Sequence, residues 1–73
     1  MIRRFDASAL YEAVDAERRS RGMTWREVGD AIGVSVSTIK RTRLGGRMEV
    51  DGMLNIVGWL NVPVEDFVVE SDL

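Results

Sequence analysis

Apolar residues recur at three- and four-residue steps over most of the chain, which is the spacing of amphipathic helices. The pattern predicts a first helix that starts after Asp6 or Ser8 and ends near Gly22, since glycine suits the left-handed residue that closes a helix. One face of this helix carries apolar residues expected in the core: Leu10, Ala13 and Val14.

The stretch from Thr24 to Arg43 predicts two short helices joined by a tight turn. The first of these helices has one apolar face, formed by Trp25, Val28, Ala31 and Ile32. Thr24 precedes the run and Glu27 follows three residues later, which is a capping box that satisfies two backbone amides. Gly33 is then expected to end the helix in a left-handed conformation.

The next helix is predicted from Val36 to about Arg43, with the Ser35 hydroxyl as its N-cap. Val34 and Ile39 should face the core, which leaves the opposite side of the helix exposed. Two helices joined by a short glycine-containing turn match the helix-turn-helix pattern, whose second helix enters the major groove of DNA.

A loop at Gly45-Gly46 precedes a further helix, predicted from Val50 to Leu60. Its expected core stripe, widened by Ile56 and Trp59, consists of Val50, Met53, Leu54, Val57 and Leu60. Pro63 is predicted to start a fifth helix, because proline fixes φ for a first turn.

Residues 1–7 are predicted to form a short, frayed arm. Contact between this arm and phosphate through Arg3 and Arg4 is the alternative interpretation. The whole chain, residues 1–73, is expected to form a single domain with its core over about residues 8–69, near the size at which one core just suffices.

The composition excludes several kinds of site. The chain has no Cys and no His, so disulfides, Cys- or His-ligated metal sites and imidazole catalysis are absent, and no cofactor is expected. No apolar run approaches the length of a membrane span, which favours a cytoplasmic protein without a membrane partner. Paired carboxylates, an activated nucleophile and a phosphate-binding glycine loop are also missing at any telling spacing, so an enzyme is not expected.

Charge is unevenly distributed, although the net charge is only −2. Residues 33–48 contain four basic residues and no acid: Lys40, Arg41, Arg43 and Arg47. Residues 49–73 contain acids and no base. A local positive face can therefore exist on an acidic protein.

Several of these features occur together in one known family. Thr24, Gly33-Val34-Ser35, Ile39 and Gly45, together with the segment LNVPVEDFV from Leu60 to Val68, resemble the phage-repressor and Cro-like (XRE-type) helix-turn-helix family. The resemblance implies an all-α bundle of about five helices, with a lambda-repressor-like DNA-binding domain. It also implies a sequence-specific regulator of transcription that binds double-stranded DNA, reading the major groove with helix 36–43.

The resemblance places Val36, Ser37 and Arg41 at the principal base-reading positions. Their chemistry fits, because arginine can bind guanine O6 and N7, valine can contact a thymine methyl, and serine can bond several base edges. Lys40 suits phosphate as a mobile point charge. The alternative for the basic residues is a solvated helix face.

The remaining predicted contacts are with the DNA backbone. Arg43 is expected to point to solvent or phosphate, and Arg47 to lie near the backbone in the loop. Trp25 occupies a position where the family often has a glutamine that reaches phosphate; the alternative is an aromatic that covers the junction with the first helix. The family's partner for Arg18 is replaced by Arg43, so we expect Arg18 to pair with Glu17 or another acid.

Two acids fit the DNA hypothesis poorly. Glu49 and Asp51 complement the dipole at the start of their helix, but they would repel phosphate if they faced DNA.

A protein-interaction module on the same scaffold, antitoxin-like or an anti-repressor subunit, is the alternative function. It would act through the acidic last third, where an exposed Trp59 and the pair Val68 and Val69 are expected. Val68, Val69 and Leu73 are compatible with a homodimer contact or with a tail folded back on its own domain.

Overall fold

The computed structural model describes residues 1–45 and 47–71, apart from the Ser71 side chain. Mostly helical structure is confirmed, but these residues also form a small two-stranded sheet. The elements are β1 Ile2–Phe5, α1 Ala7–Ser20, α2 Trp25–Ile32, α3 Val36–Arg41, α4 Val50–Leu60 and β2 Val68–Ser71, with 3-10 turns at Thr42–Leu44 and Val64–Phe67. Within the described ranges, no helix is long and apolar enough to cross a membrane.

Local capping explains where α1 begins and ends. The Asp6 carboxylate accepts a hydrogen bond from the Ala9 amide at 3.0 Å, and the chain leaves the helix through Gly22 at a φ of 65°. Both predicted ends are confirmed.

Arg18 forms its ion pair with Asp15 and not with Glu17. Its Nη2 lies 2.8 Å from Oδ1 of Asp15, and its Nη1 donates to the Met23 carbonyl at 3.1 Å. Arg19 binds the second oxygen of the same carboxylate. The hydrogen bonds from Arg19 and then Arg18 hold the pKa of Asp15 below its ordinary value.

The caps of α2 are the predicted ones. Thr24 Oγ1 accepts from the Glu27 amide at 3.1 Å, and the Thr24 amide donates to Glu27 Oε1 at 2.8 Å. The latter bond holds the pKa of Glu27 below its ordinary value. Gly33 ends the helix at a φ of 83°. At Gly29, an added Cβ would lie 3.0 Å from the Val34 carbonyl oxygen, so glycine permits the close approach of the turn.

The core forms where α1, α2, α3 and α4 meet. Its buried apolar members are Leu10, Val14, Val28, Ile32, Ile39, Ile56, Val57 and Phe67. On α4 the predicted stripe is partly wrong, because Ile56 and Val57 are buried whereas Val50 and Leu54 are 60% and 51% exposed. Trp59 is also not exposed as predicted, since it packs against the core and the Arg21 guanidinium covers its ring at 4.6 Å.

The predicted all-α bundle of about five helices is confirmed only in part, because the described residues form four α-helices and a small two-stranded sheet. Asn61 ends α4 in a left-handed conformation, and Pro63 starts only the single turn Val64–Phe67. The chain then extends into β2, which pairs antiparallel with β1. Strand pairing satisfies the backbone groups that a fifth helix would have satisfied internally.

The N-terminal arm is therefore not frayed. Ile2 lies opposite Ser71, and Phe5 opposite Val68, which matches the alternative of a tail folded back on its own domain. Phe5 packs on Phe67 with ring centroids 6.2 Å apart. The predicted role of Leu73 falls outside the described residues.

Candidate nucleic-acid interface

Helix α3 is held firmly by its neighbours. The Ser35 hydroxyl accepts from the Thr38 amide at 3.2 Å and caps the helix, as predicted. Ile39 is fully buried, and Val34 packs against the core. At the other end, the buried Thr42 hydroxyl donates to the Ile39 carbonyl at 2.6 Å. The opposite face of α3 is consequently presented in a fixed orientation.

The residues expected to contact bases differ in exposure. Ser37, Lys40 and Arg41 are exposed, as a groove-reading face requires. Val36 is half-buried, because its Cγ2 atom packs against α2 at Gly29. Only part of the Val36 side chain is thus available to a thymine methyl.

Arg41 and Arg47 come together although a loop separates them. Both line a cavity of about 420 Å³ at the end of α3, together with Thr38 and Thr42. Two arginines on one concave surface suit a base edge and a neighbouring phosphate, since a guanidinium binds either with paired N–H donors. This juxtaposition is the feature of the fold that best suits a polyanion.

Lys40 lies on a different side of α3 from this cavity, close to Trp25 at the start of α2. Trp25 is half-buried, stacks on Tyr11 with ring centroids 5.3 Å apart, and has the Arg18 guanidinium 4.8 Å from its ring centroid. The Lys40 ammonium lies 5.9 Å from the same ring. This packing fits the interpretation of Trp25 as a cover for the junction with the first helix, with Lys40 as the nearby exposed cation.

Arg43 follows α3 in the turn Thr42–Leu44 and is exposed. Its backbone carbonyl accepts from the Ser8 hydroxyl at 3.2 Å, which fastens the turn to α1. Among the described residues no acid lies within salt-bridge distance of Arg43, so its guanidinium remains available to solvent or phosphate.

Acidic residues border this basic surface. Glu49 lines the same cavity as Arg41 and Arg47. Asp51 lines an adjacent cavity with Glu49 and Thr38, between the helix-turn-helix and the start of α4. The predicted conflict between these carboxylates and phosphate therefore has a structural basis.

Two further residues belong to the surface and were not among the predicted contacts. Arg26 lines the groove between α2 and α3 with Val36 and Ser35. Thr38 lines the cavity that contains Arg41. Arg26 could have been selected as the exposed cation in the first turn of α2. Thr38 has a fixed place on α3, but the cavity that it lines with Arg47 depends on how the loop after α3 folds.

Comparisons with protein-family models, with curated proteins and with solved structures find no match to this chain. The resemblance to the Cro-like family consequently rests on the quoted motif residues alone.

Proposed function

We propose that this protein is a sequence-specific regulator of transcription that binds double-stranded DNA in the cytoplasm, as a repressor-like homodimer, without a catalytic step. Occupancy of an operator would be its whole mechanism. A symmetric dimer would read two half-sites about one helical turn apart.

The observation that carries this proposal is the cavity shared by Arg41 and Arg47 at the end of a fixed, exposed α3. Within the proposal, Arg41 reads a guanine edge and Ser37 a neighbouring base edge. Arg47, Arg43 and Lys40 contact phosphates, which supply most of the affinity and make it dependent on salt. Half-buried Val36 contributes a smaller apolar contact.

The experiment is selection of bound duplexes from a randomised library, followed by fluorescence anisotropy across a salt series. Wild type is compared with Arg41→Ala and with Arg21→Ala, a charge-matched control at the end of α1. We expect Arg41→Ala to relax the base preference at one position and to weaken binding by about 1–3 kcal/mol. Arg21→Ala should retain the wild-type preference.

Two results would contradict the proposal. One is the absence of binding by the wild type even at low salt. The other is an unchanged base preference in Arg41→Ala, with circular dichroism showing that the variant is folded.

The second candidate function is the protein-interaction module. Of its predicted surface, Trp59 is half-buried against the core, whereas Val69 on β2 is 45% exposed. An interaction module would lose partner binding on Val69→Asp and tolerate Arg41→Ala, which is the reverse of the order expected for a DNA reader.

A further inference from the structure

A second concave surface, whose lining includes neither Ser37 nor Lys40, lies between β1 and the first turns of α4. Its volume is about 770 Å³, within the range of pockets that bind ligands or side chains. Three arginines line it: Arg3, Arg4 and Arg47. The other lining residues are apolar: Phe5, Met48, Val50 and Met53. We call this surface the β1–α4 groove.

One apolar residue of the lining, Val50, is exposed, and the other three are half-buried. Val50 is 60% exposed, and Leu54 continues the same helical face one turn later at 51%. These two side chains form an exposed apolar strip along α4, next to the arginines of the groove. An occupant must therefore bring apolar side chains as well as charge.

The charge of the groove identifies the sign of that occupant. Within residues 1–45 and 47–71, Arg4 and Arg47 have no carboxylate within salt-bridge distance, and Arg3 has only a solvent-exposed contact with Glu70 at 3.5 Å. The arginines are thus available for acidic groups, which they can bind with paired N–H donors.

We propose that the β1–α4 groove binds an acidic, amphipathic segment of a protein partner. The partner's apolar side chains would pack on Val50, Met53 and Phe5, and its carboxylates would bind Arg4 and Arg47. An amphipathic helix laid in an apolar groove is a recurrent mode of recognition. A phosphate backbone would satisfy the arginines but would leave the apolar floor without a contact.

Arg47 and Met48 line both this groove and the cavity that contains Arg41. If the proposed DNA-binding function holds, a segment in the groove occupies Arg47 and so competes with DNA for it. The partner would act as an anti-repressor. This consequence depends on the proposed function, whereas binding in the groove does not.

The groove is tested in the absence of DNA with a labelled amphipathic peptide of about four helical turns, with leucines on one face and glutamates flanking them. Two matched peptides carry lysine in place of glutamate or serine in place of leucine. We expect the first peptide to bind at least about tenfold more tightly than either of the others. Equal binding of all three peptides, or none by the first up to about 1 mM, would overturn the proposal.

Variants then locate the site on the protein. Arg4→Glu and Val50→Asp should each weaken binding of the acidic peptide about tenfold or more. Arg26→Glu makes the same change of charge outside the groove and should leave peptide binding unchanged. Retained affinity in both groove variants would overturn the assignment.

DNA measurements separate the groove from the phosphate-binding surface. The slope of log affinity against log salt concentration for duplex binding should be the same in Arg4→Ala as in wild type. A decrease of about one in the magnitude of this slope would show that Arg4 contacts a phosphate, and would overturn the proposal. Saturating acidic peptide should weaken duplex binding by wild type, and simultaneous binding of both without loss of affinity would refute the competition. A protein that binds the peptide but no DNA would contradict the proposed regulator alone.

Discussion

Gly29 is the residue on which the approach of α3 to α2 depends. A Cβ at this position would lie 3.0 Å from the Val34 carbonyl and 3.2 Å from Val36 Cγ2. Overpacking of this kind costs about 1–3 kcal/mol, whereas alanine improves helix propensity by about 1 kcal/mol. We therefore expect Gly29→Ala to lower the free energy of unfolding, measured in urea, by up to about 2 kcal/mol.

Gly58 provides the matched control for this substitution. It lies in α4, is exposed, and an added Cβ would have no atom within 4 Å apart from the neighbouring residues and backbone of its own helix. Gly58→Ala should therefore raise the free energy of unfolding by about 0.5–1 kcal/mol. Stabilisation by both substitutions would show that the turn at Val34 shifts to accommodate the added Cβ at little cost.

Asp15 gives the stability of the fold a dependence on acid. Its hydrogen bonds from Arg19 and Arg18 lower its pKa in the folded state, so the unfolded state binds more protons in acid. The resulting stabilisation is complete above the ordinary aspartate value of 3.8 and is lost as the pH falls through the lower, folded value. Asp15→Asn should lower the free energy of unfolding at pH 7. It should also reduce the acid slope, by which we mean the loss of that free energy as the pH falls, measured by urea unfolding between pH 2 and 7.

The control for this pH dependence is Asp30→Asn, which changes an exposed aspartate on α2. It should keep the acid slope of wild type. If Asp15→Asn keeps that slope as well, the acid dependence arises from other carboxylates and our account of Asp15 is incorrect.

Among the elements, the sheet depends most on contacts distant in sequence. Two paired strands are marginal alone and need a hydrophobic contact with the rest of the fold. Phe5 supplies one by packing on Phe67, and the Asp6 amide donates to the Phe67 carbonyl at 2.7 Å. We expect Phe5→Ala to lower the free energy of unfolding by about 2 kcal/mol and to speed amide exchange in β2.

Ile2→Ala tests whether this effect belongs to the Phe5 contact or to strand composition. Ile2 is in the same strand but is 49% exposed. Its truncation should change stability by less than about 0.5 kcal/mol and leave exchange in β2 slow. Slow exchange in β2 of Phe5→Ala would mean that another contact holds the sheet.

The sequence predicts the helices well where their limits are set locally. Thr24, Gly33 and Ser35 cap their own helices through side chains or φ values within a few residues, so these limits follow from spacing. The segment after Pro63 has the same local signals as a helix start. Pairing of β2 with β1 at the opposite end of the chain decides its conformation instead, and spacing does not report such pairing.

The same distinction applies to the candidate sites. Exposure of Ser37, Lys40 and Arg41 follows from helical periodicity once Ile39 is placed in the core. The shared cavity of Arg41 and Arg47 depends on the path of the loop between them. Apolar residues occupy most positions of α4, so periodicity predicts Val50 and Leu54 in the core along with Ile56 and Val57 and does not show which of them are buried.

Over the whole molecule, charge of both signs meets at the proposed DNA-binding surface. The acid-free stretch supplies Arg41 and Arg47, and Glu49 from the acidic part of the chain lines the same cavity. A carboxylate at this place repels phosphate at every sequence alike. It should therefore limit nonspecific affinity more than base preference.

Glu49→Gln is expected to strengthen binding to duplexes of random sequence by about two- to fivefold at low salt, with a smaller difference at high salt because ions screen an exposed charge. Fluorescence anisotropy across a salt series measures both effects. Glu65→Gln removes the same charge in the turn Val64–Phe67, which packs on α1, and should change DNA affinity little. Equal strengthening by both substitutions would indicate that DNA senses net charge, and no strengthening by Glu49→Gln would place this end of α4 away from the phosphates.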